Sequence, residues 1–243
     1  MKRSGRFEDM HTPEFERIVE AAERYVRQQD ALVGGDWYVR QPDIPDAADD
    51  LAAYGRSICG CRKCALSETR RHFVFGTGNP NGKLMLIGEA PGEEEDLKGE
   101  PFVGKAGHLL DRILAAIAFE RGEVYIANVL KCRPPRNRDP LPEEMAMCLP
   151  YLKRQIALVQ PKLILLLGRV AAHAVLRTAQ SLTQMRNLTH QYGSIPVLVT
   201  FHPAALLRNP QWKQETWEDV QKLRRLYDER VGDKAPWTPK KKS

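Results

Sequence analysis

The sequence predicts an α/β protein: three layers, α/β/α, around a central four-stranded parallel sheet, plus a helical N-terminal extension. Three observations carry this. Four short apolar runs recur, at Lys83–Gly88, Val124–Leu130, Lys162–Leu167 and Ile195–Thr200. Stretches with helical apolar spacing or capping signals lie between them, the alternation that builds a parallel sheet with helices on both faces. Each run also ends in unusual polar residues, on the sheet edge where such folds place their function.

The elements follow in chain order. Thr12 caps a helix, with Pro13 in its first turn and Glu14 near its positive end. Phe15, Ile18, Ala22 and Tyr25 form its apolar stripe. Gly34-Gly35 ends it, and 41–45 (Gln-Pro-Asp-Ile-Pro) is a linker. Asp46 is expected to cap a short helix to about Ser57. After the first strand, Gly104 to Ala118 carries Leu109, Leu110, Ile113, Leu114 and Ile117 at helical spacing. After the second, a helix is expected from Pro142 to Val159, with Pro150 kinking or splitting it. Val170 to Thr178 is the next helix, and Asn209-Pro210 opens a last one reaching about Arg230. The chain thus divides into an extension over 1–58, a body over 59–230 and a basic tail over 231–243.

Composition bounds the function. The chain has 243 residues, with 37 Lys+Arg against 31 Asp+Glu, a formal charge of +6. Hydrophobic residues make up 42% and charged residues 28%, a globular balance. No apolar run of about 18 residues exists, so no membrane span is expected. The N-terminus MKRSGRFEDM has no apolar stretch after its basic residues, so no secretory signal is visible. A cytoplasmic monomer is the expectation. The net charge is a weak hint of an anionic partner.

Five cysteines occur: Cys59, Cys61, Cys64, Cys132 and Cys148. An odd count without an export signal argues against a disulfide framework. The Cys61-x-x-Cys64 pair and the remote pair Cys132 and Cys148 can supply four thiolates to zinc or to an iron–sulfur cluster, which spacing does not separate. Small buried residues plus a redox CxxC is the plainer alternative. Cys59 is out of register and is taken as a spare thiol.

Some signals are set aside. Gly99 to Ala106 approaches a phosphate-binding loop, but no Ser or Thr follows Lys105 to hold magnesium. Glu93 to Asp96 reads as a solvated acidic turn. His173 lies within an apolar helix, and His72 and His190 have no identifiable partner.

The strand-end loops resemble a known family. GEAPGEEED (88–96), PFVGKAG (101–107), NVLKCRPPRNRDP (128–140) and HPAALLRNP (202–210) are similar to the motifs of family 4 uracil-DNA glycosylases. The resemblance runs from about Cys61 to about Glu229 and leaves the extension and tail outside. It implies a monofunctional enzyme that flips uracil out of single- or double-stranded DNA and hydrolyses its N-glycosidic bond, leaving an abasic site for base excision repair. It also implies one four-iron four-sulfur cluster per chain, on Cys61, Cys64, Cys132 and Cys148. The competing reading is a non-catalytic iron–sulfur protein that binds DNA or a polymerase, with the N-terminal extension meeting a protein partner.

The resemblance assigns residues. Phe102 stacks on the base. Asn128 reads the O4 and N3–H edge with its donor and acceptor, a pattern cytosine reverses. His202 donates to O2, for which a neutral imidazole suffices. The aspartate that family 1 enzymes carry in the first loop is replaced by Ala90, so Glu89 is the first candidate for the anionic role and Asn137, as a water-positioning amide, the second. Gly88 and Ala90 bring backbone amides to the base. Gly92 replaces the residue that excludes thymine in family 1, which leaves Glu95 for that task. In the last motif Leu206 or Leu207 wedges into the vacated stack. Lys105, Arg136 and Arg208 pair with phosphates, as could Lys131, Arg133 and Arg138. A related subgroup traps DNA through a histidine in a basic loop after the asparagine strand; 136–140 (Arg-Asn-Arg-Asp-Pro) has none, so turnover is expected.

Overall fold

A computed structural model describes residues 50–239. The helix expected from Thr12, the linker over 41–45 and residues 240–243 lie outside them.

The four expected strands form one parallel array. They are β2 (Leu84–Gly88), β3 (Tyr125–Asn128), β4 (Leu163–Leu167) and β6 (Ile195–Thr200). Two short antiparallel strands, β1 (Thr77–Gly78) and β5 (His190–Tyr192), extend the sheet to six, in the order β1-β3-β2-β4-β6-β5. The four-stranded expectation missed both, because two or three residues are too short to show an alternation. Each covers an edge that would otherwise leave backbone groups of the parallel array unpaired.

The buried strands divide their side chains between two cores by strict alternation. Met85, Ile87, Ile164, Leu166, Val197 and Val199 face one layer, with Leu152, Ile156 and Val159. Leu84, Leu86, Leu163, Leu165 and Leu198 face the other, with Leu110, Leu114, Val220 and Leu223. The first layer includes helices Pro142–Val159 and Arg169–Leu176; the second includes Lys105–Ala116 and Lys213–Arg230.

Two local expectations are corrected. The first described helix, Leu51–Ile58, is capped by Asp50 rather than Asp46, its carboxylate accepting from the Ala53 N–H at 2.6 Å. It presents Leu51, Tyr54 and Ile58 to the interior. Pro150 does not split its helix, which runs unbroken from Pro142 to Val159. The missing N–H leaves only the carbonyl of Ala146 without its helical partner, and Ala146 is exposed to water. The start of the basic tail packs on the body: the Ala235 carbonyl accepts from Arg224 at 2.7 Å, and Trp237 lies edge-on against Trp217. Among the described residues no helix is long and apolar enough to cross a membrane.

Candidate active site

β2 and β3 end side by side, with Gly88 paired to Asn128. The pairing continues past the sheet: the Val129 N–H donates to the Gly88 carbonyl at 2.9 Å and the Leu130 N–H to the Glu89 carbonyl at 3.0 Å. Those bonds hold Glu89 and Asn128 on one rim. β4 is followed directly by Gly168, whose φ of +91° requires glycine. A Cβ there would lie 2.9 Å from the His202 Cβ. Glycine therefore lets the loop after β6 close over the strand ends.

The result is a cavity of about 320 Å³ lined by Glu89, Ala90, Gly92, Glu95, Phe102, Asn128, Asn137, His202 and Arg208, among others. The topology thus unites Glu89, Asn128, Asn137 and His202, drawn from three strand-end segments, those of β2, β3 and β6. Gly88 lies beneath: a Cβ there would meet the Asn128 Oδ1 at 2.4 Å and the Phe102 ring at 2.6 Å. Phe102 is buried and has a φ of +55°, and it is kept in place partly by Gly107, where a Cβ would lie 1.8 Å from the Phe102 carbonyl oxygen.

The polar groups are poised rather than satisfied. The Asn128 side chain is buried, and its Oδ1 has no hydrogen-bond partner. An orphaned buried acceptor is costly, and a ligand donor is the simplest way to offset that cost. His202 accepts at Nδ1 from the Ala204 N–H at 3.1 Å. A neutral ring bonded that way carries its proton on Nε2. Burial, helped by Arg208 and opposed by Glu95, depresses the His202 pKa to about 4, so the ring is neutral at physiological pH. Its ring centroid lies 5.4 Å from that of Phe102. Burial raises the Glu89 carboxyl to about 7; Asp139 adds to the rise and Arg169 opposes it. Neither Asp139, on the cavity wall, nor Arg169 had been given a role; the motif around Asp139 and the strand-end position of Arg169 were the only signals. Asn137 uses Oδ1 to accept from Arg133 Nε at 2.8 Å, which leaves its amide hydrogens for a ligand.

The acidic segment is not a solvated turn. Glu95 accepts from the N–H groups of Gly92, Val103 and Gly104 at 2.9 to 3.0 Å, fixing the loop around Phe102 to the helix Glu93–Lys98. Buried Asp96 accepts from the Arg71 N–H, and its carbonyl meets His72 Nδ1 at 2.7 Å, a partner with no signal in the sequence. His190 likewise bonds the Met185 carbonyl.

The basic residues separate. Lys105, Arg136 and Arg208 are exposed, Arg208 on the cavity wall. Lys131 is fully buried: Nζ donates to the Asn128 carbonyl at 2.7 Å and to Gln155 Oε1 at 2.5 Å, so it cannot reach a phosphate. Arg138 is engaged by both oxygens of Glu144. The two leucines also part. Leu206 is buried with Leu109 and Phe201, whereas Leu207 is exposed.

Cys61, Cys64, Cys132 and Cys148 are all free; Cys132 lies within electrostatic reach of Cys64 and Cys61, and Cys148 of Cys132 and Cys64. Three sulfurs receive hydrogen bonds: Tyr151 Oη to Cys61 at 3.2 Å, Arg70 Nη1 to Cys132 at 3.1 Å and the Lys131 N–H to Cys148 at 3.3 Å. Such donors favour thiolates that carry a metal centre. Among the described residues no three His, Cys, Asp or Glu side chains close tightly enough for a single metal ion. Cys59 is exposed and bonds the Arg56 carbonyl.

Comparison with known proteins agrees with this geometry. The model of the uracil DNA glycosylase superfamily matches residues 75–221. The chain belongs to that superfamily. A type-4 uracil-DNA glycosylase of Archaeoglobus fulgidus is 42% identical over 199 residues, covering 79% of this chain and 96% of that one. A type-4 enzyme of Thermotoga maritima is 42% identical over 168 residues, 68% of this chain and 88% of the relative. A type-5 uracil-DNA glycosylase of Thermus thermophilus is more distant, 30% identical over 159 residues, or 52% of this chain and 72% of the relative. The superfamily match spans all four strand ends, so every wall of the cavity falls inside it.

Proposed function

We propose that this cavity takes a uracil flipped out of DNA and that the surrounding side chains drive hydrolysis of its N-glycosidic bond. As a member of the family, the chain is a uracil-DNA glycosylase, a hydrolase of DNA repair. The observation that best supports the pocket reading is the pair of groups with unmet hydrogen-bonding capacity: the Asn128 amide, with its orphaned Oδ1, and the neutral imidazole of His202. A protein that held only the DNA backbone or a polymerase would have no need of an unpaired acceptor inside a cavity.

Bond cleavage builds positive charge on the sugar and negative charge on the departing base. The Nε2–H of His202 is the donor for the oxygen where that anion develops, and a preset neutral donor needs no proton transfer. Asn128 offers Oδ1 to the base N3–H and Nδ2 to O4. Cytosine presents an acceptor and a donor at those places and is refused. Phe102 supplies the stacking face, with Gly88 and Ala90 bringing backbone close. Glu89, once ionised, supports the cationic sugar or holds the attacking water, and Asn137 orients that water. Glu95, a Cβ at Gly92 being only 2.6 Å from its Oε2, stands where it can exclude a C5 methyl.

Of the two wedge candidates, exposed Leu207 is the one that can enter the base stack. Exposed Lys105, Arg136 and Arg208 suit the phosphates of single- or double-stranded DNA. Cys61, Cys64, Cys132 and Cys148 suit a four-iron four-sulfur cluster, whose thiolates sit on separate irons and need not meet at one point. The cluster would brace the segment between Asn128 and Cys132. The proposal includes a monomer that acts at the nucleoid, and an extension over 1–58 available to a protein partner.

The test is release of labelled uracil from single- and double-stranded oligonucleotides, followed by alkaline cleavage at the abasic site. Asn128→Ala and His202→Ala are expected to abolish release. Unchanged release by both would overturn the site assignment.

A further inference from the structure

Phe201 and Trp212 flank the segment that carries His202, Leu207 and Arg208. Their rings lie flat on one another, with centroids 4.7 Å apart and planes 13° from parallel. The expected loop is a short helix, Pro203–Arg208, capped by His202 and packed through buried Leu206 against Leu109 and Phe201. The Arg186 guanidinium carbon lies 4.6 Å from the centroid of the same Phe201 ring. Arg186 is itself pinned by two bonds to the Asp219 carboxylate, at 2.7 and 3.1 Å. Asp219 also accepts from Thr200 Oγ1 at 2.6 Å. Thr200 is the last residue of β6 and Asp219 belongs to the helix Lys213–Arg230, so strand end, ring stack and final helix are joined at one point. None of Arg186, Thr200, Phe201, Trp212 or Asp219 lines the catalytic cavity.

We infer that the Phe201–Trp212 stack, seated on Arg186 and Asp219, is a clasp that holds the short helix Pro203–Arg208 in place firmly enough to drive Leu207 into duplex DNA. The inference rests on Leu207 being the wedge. Opening a base step is costly, and a short helix that shifts under that load spends binding energy on holding its own position. A single strand presents its uracil already unstacked, so the same helix does little work there. These five residues are positioning residues, and their mark is a loss confined to duplex substrate.

The experiment measures kcat/KM for uracil in matched duplex and single-stranded oligonucleotides, with thermal melting of each variant. Trp212→Leu is expected to lose about tenfold or more on duplex and less than about twofold on single strand, while Trp212→Phe, which keeps a flat ring, restores most of the duplex rate. Equal losses on both substrates, or none on either, would overturn the clasp. Should Trp212→Leu melt below assay temperature, Thr200→Val carries the test. It removes one bond to Asp219 and keeps the side chain's shape; a duplex-selective loss of about threefold supports the clasp and no such loss overturns it. Leu207→Ala, run alongside, separates the two ideas. If it shows the selective loss and Trp212→Leu does not, the clasp fails and the wedge stands. If Leu207→Ala shows none, the wedge reading itself has failed.

Discussion

Gly88 and Asn128 are register partners on neighbouring parallel strands, and a Cβ at Gly88 would lie 2.4 Å from the Asn128 Oδ1. The same methyl would press on the Phe102 ring at 2.6 Å. Gly88→Ala is therefore expected to cut uracil release by about a hundredfold, through displacement of both groups that would grip the base. Steady-state release kinetics on a uracil oligonucleotide check this, and a rate within about threefold of the parent would refute it.

Asn128 pits function against stability. Its buried Oδ1 accepts no hydrogen bond from another protein group, so that acceptor contributes nothing to holding the fold. Asn128→Ala is expected to lower release by about two orders of magnitude or more while leaving the thermal midpoint unchanged or higher. Parallel activity and melting measurements test the two halves. A large drop in the midpoint would show that the asparagine is structural.

The pH profile separates the two titrating groups. With its pKa depressed to about 4, His202 stays neutral across the assay range and contributes no inflection near neutrality. Glu89, raised to about 7, ionises within that range. If the anionic form is the active one, kcat rises with pH through about 7 and then levels, and Glu89→Gln abolishes the inflection. Stability moves the other way. The folded pKa of Glu89 exceeds its unfolded value, so its contribution is full at low pH and is lost as pH rises through about 7. Melting curves for Glu89→Gln should fall less steeply with pH than those of the parent.

Lys131 joins the cysteine side of the fold to the pocket side. Its backbone N–H meets Cys148, and its Nζ holds the Asn128 carbonyl and Gln155. Lys131→Met keeps the unbranched stem but lacks Nζ, which leaves those two acceptors unpaired. A destabilisation of about 2–4 kcal/mol is expected, together with reduced release, because each buried orphan costs about 1–3 kcal/mol. Denaturant titration with a release assay provides the measurement; wild-type values in both would remove Lys131 from the account.

The cysteines should divide four to one. Cys59→Ser is expected to retain iron and the absorption near ~400 nm of a thiolate-bound cluster, whereas Cys148→Ser loses both and unfolds more readily. Iron analysis of the purified variants decides. Loss of iron on changing Cys59, or stoichiometric zinc without iron in the parent, contradicts the ligand set.

What the chain determines alone is what lies in local periodicity and in contiguous motifs. The β2 and β4 runs announce buried strands because they are almost wholly apolar, and the Leu109–Ile117 spacing announces a helix. The polar strand ends and the four ordered motifs carried the resemblance, and with it the grouping of Glu89, Asn128, Asn137 and His202. Tertiary structure alone decided what depends on close approach between distant residues. Lys131 and Arg208 look alike as basic residues in motifs, yet one is sealed beneath the pocket and the other lies open on its wall. Leu206 and Leu207 are adjacent and chemically identical, and only helix phase sends one into the core and the other to solvent. The edge strands, the anchoring of Glu95 and Asp96, the Arg169–Asp139 influence on Glu89 and the Phe201–Trp212 stack have no local signature. Each depends on a partner that folding must first bring within a few ångströms.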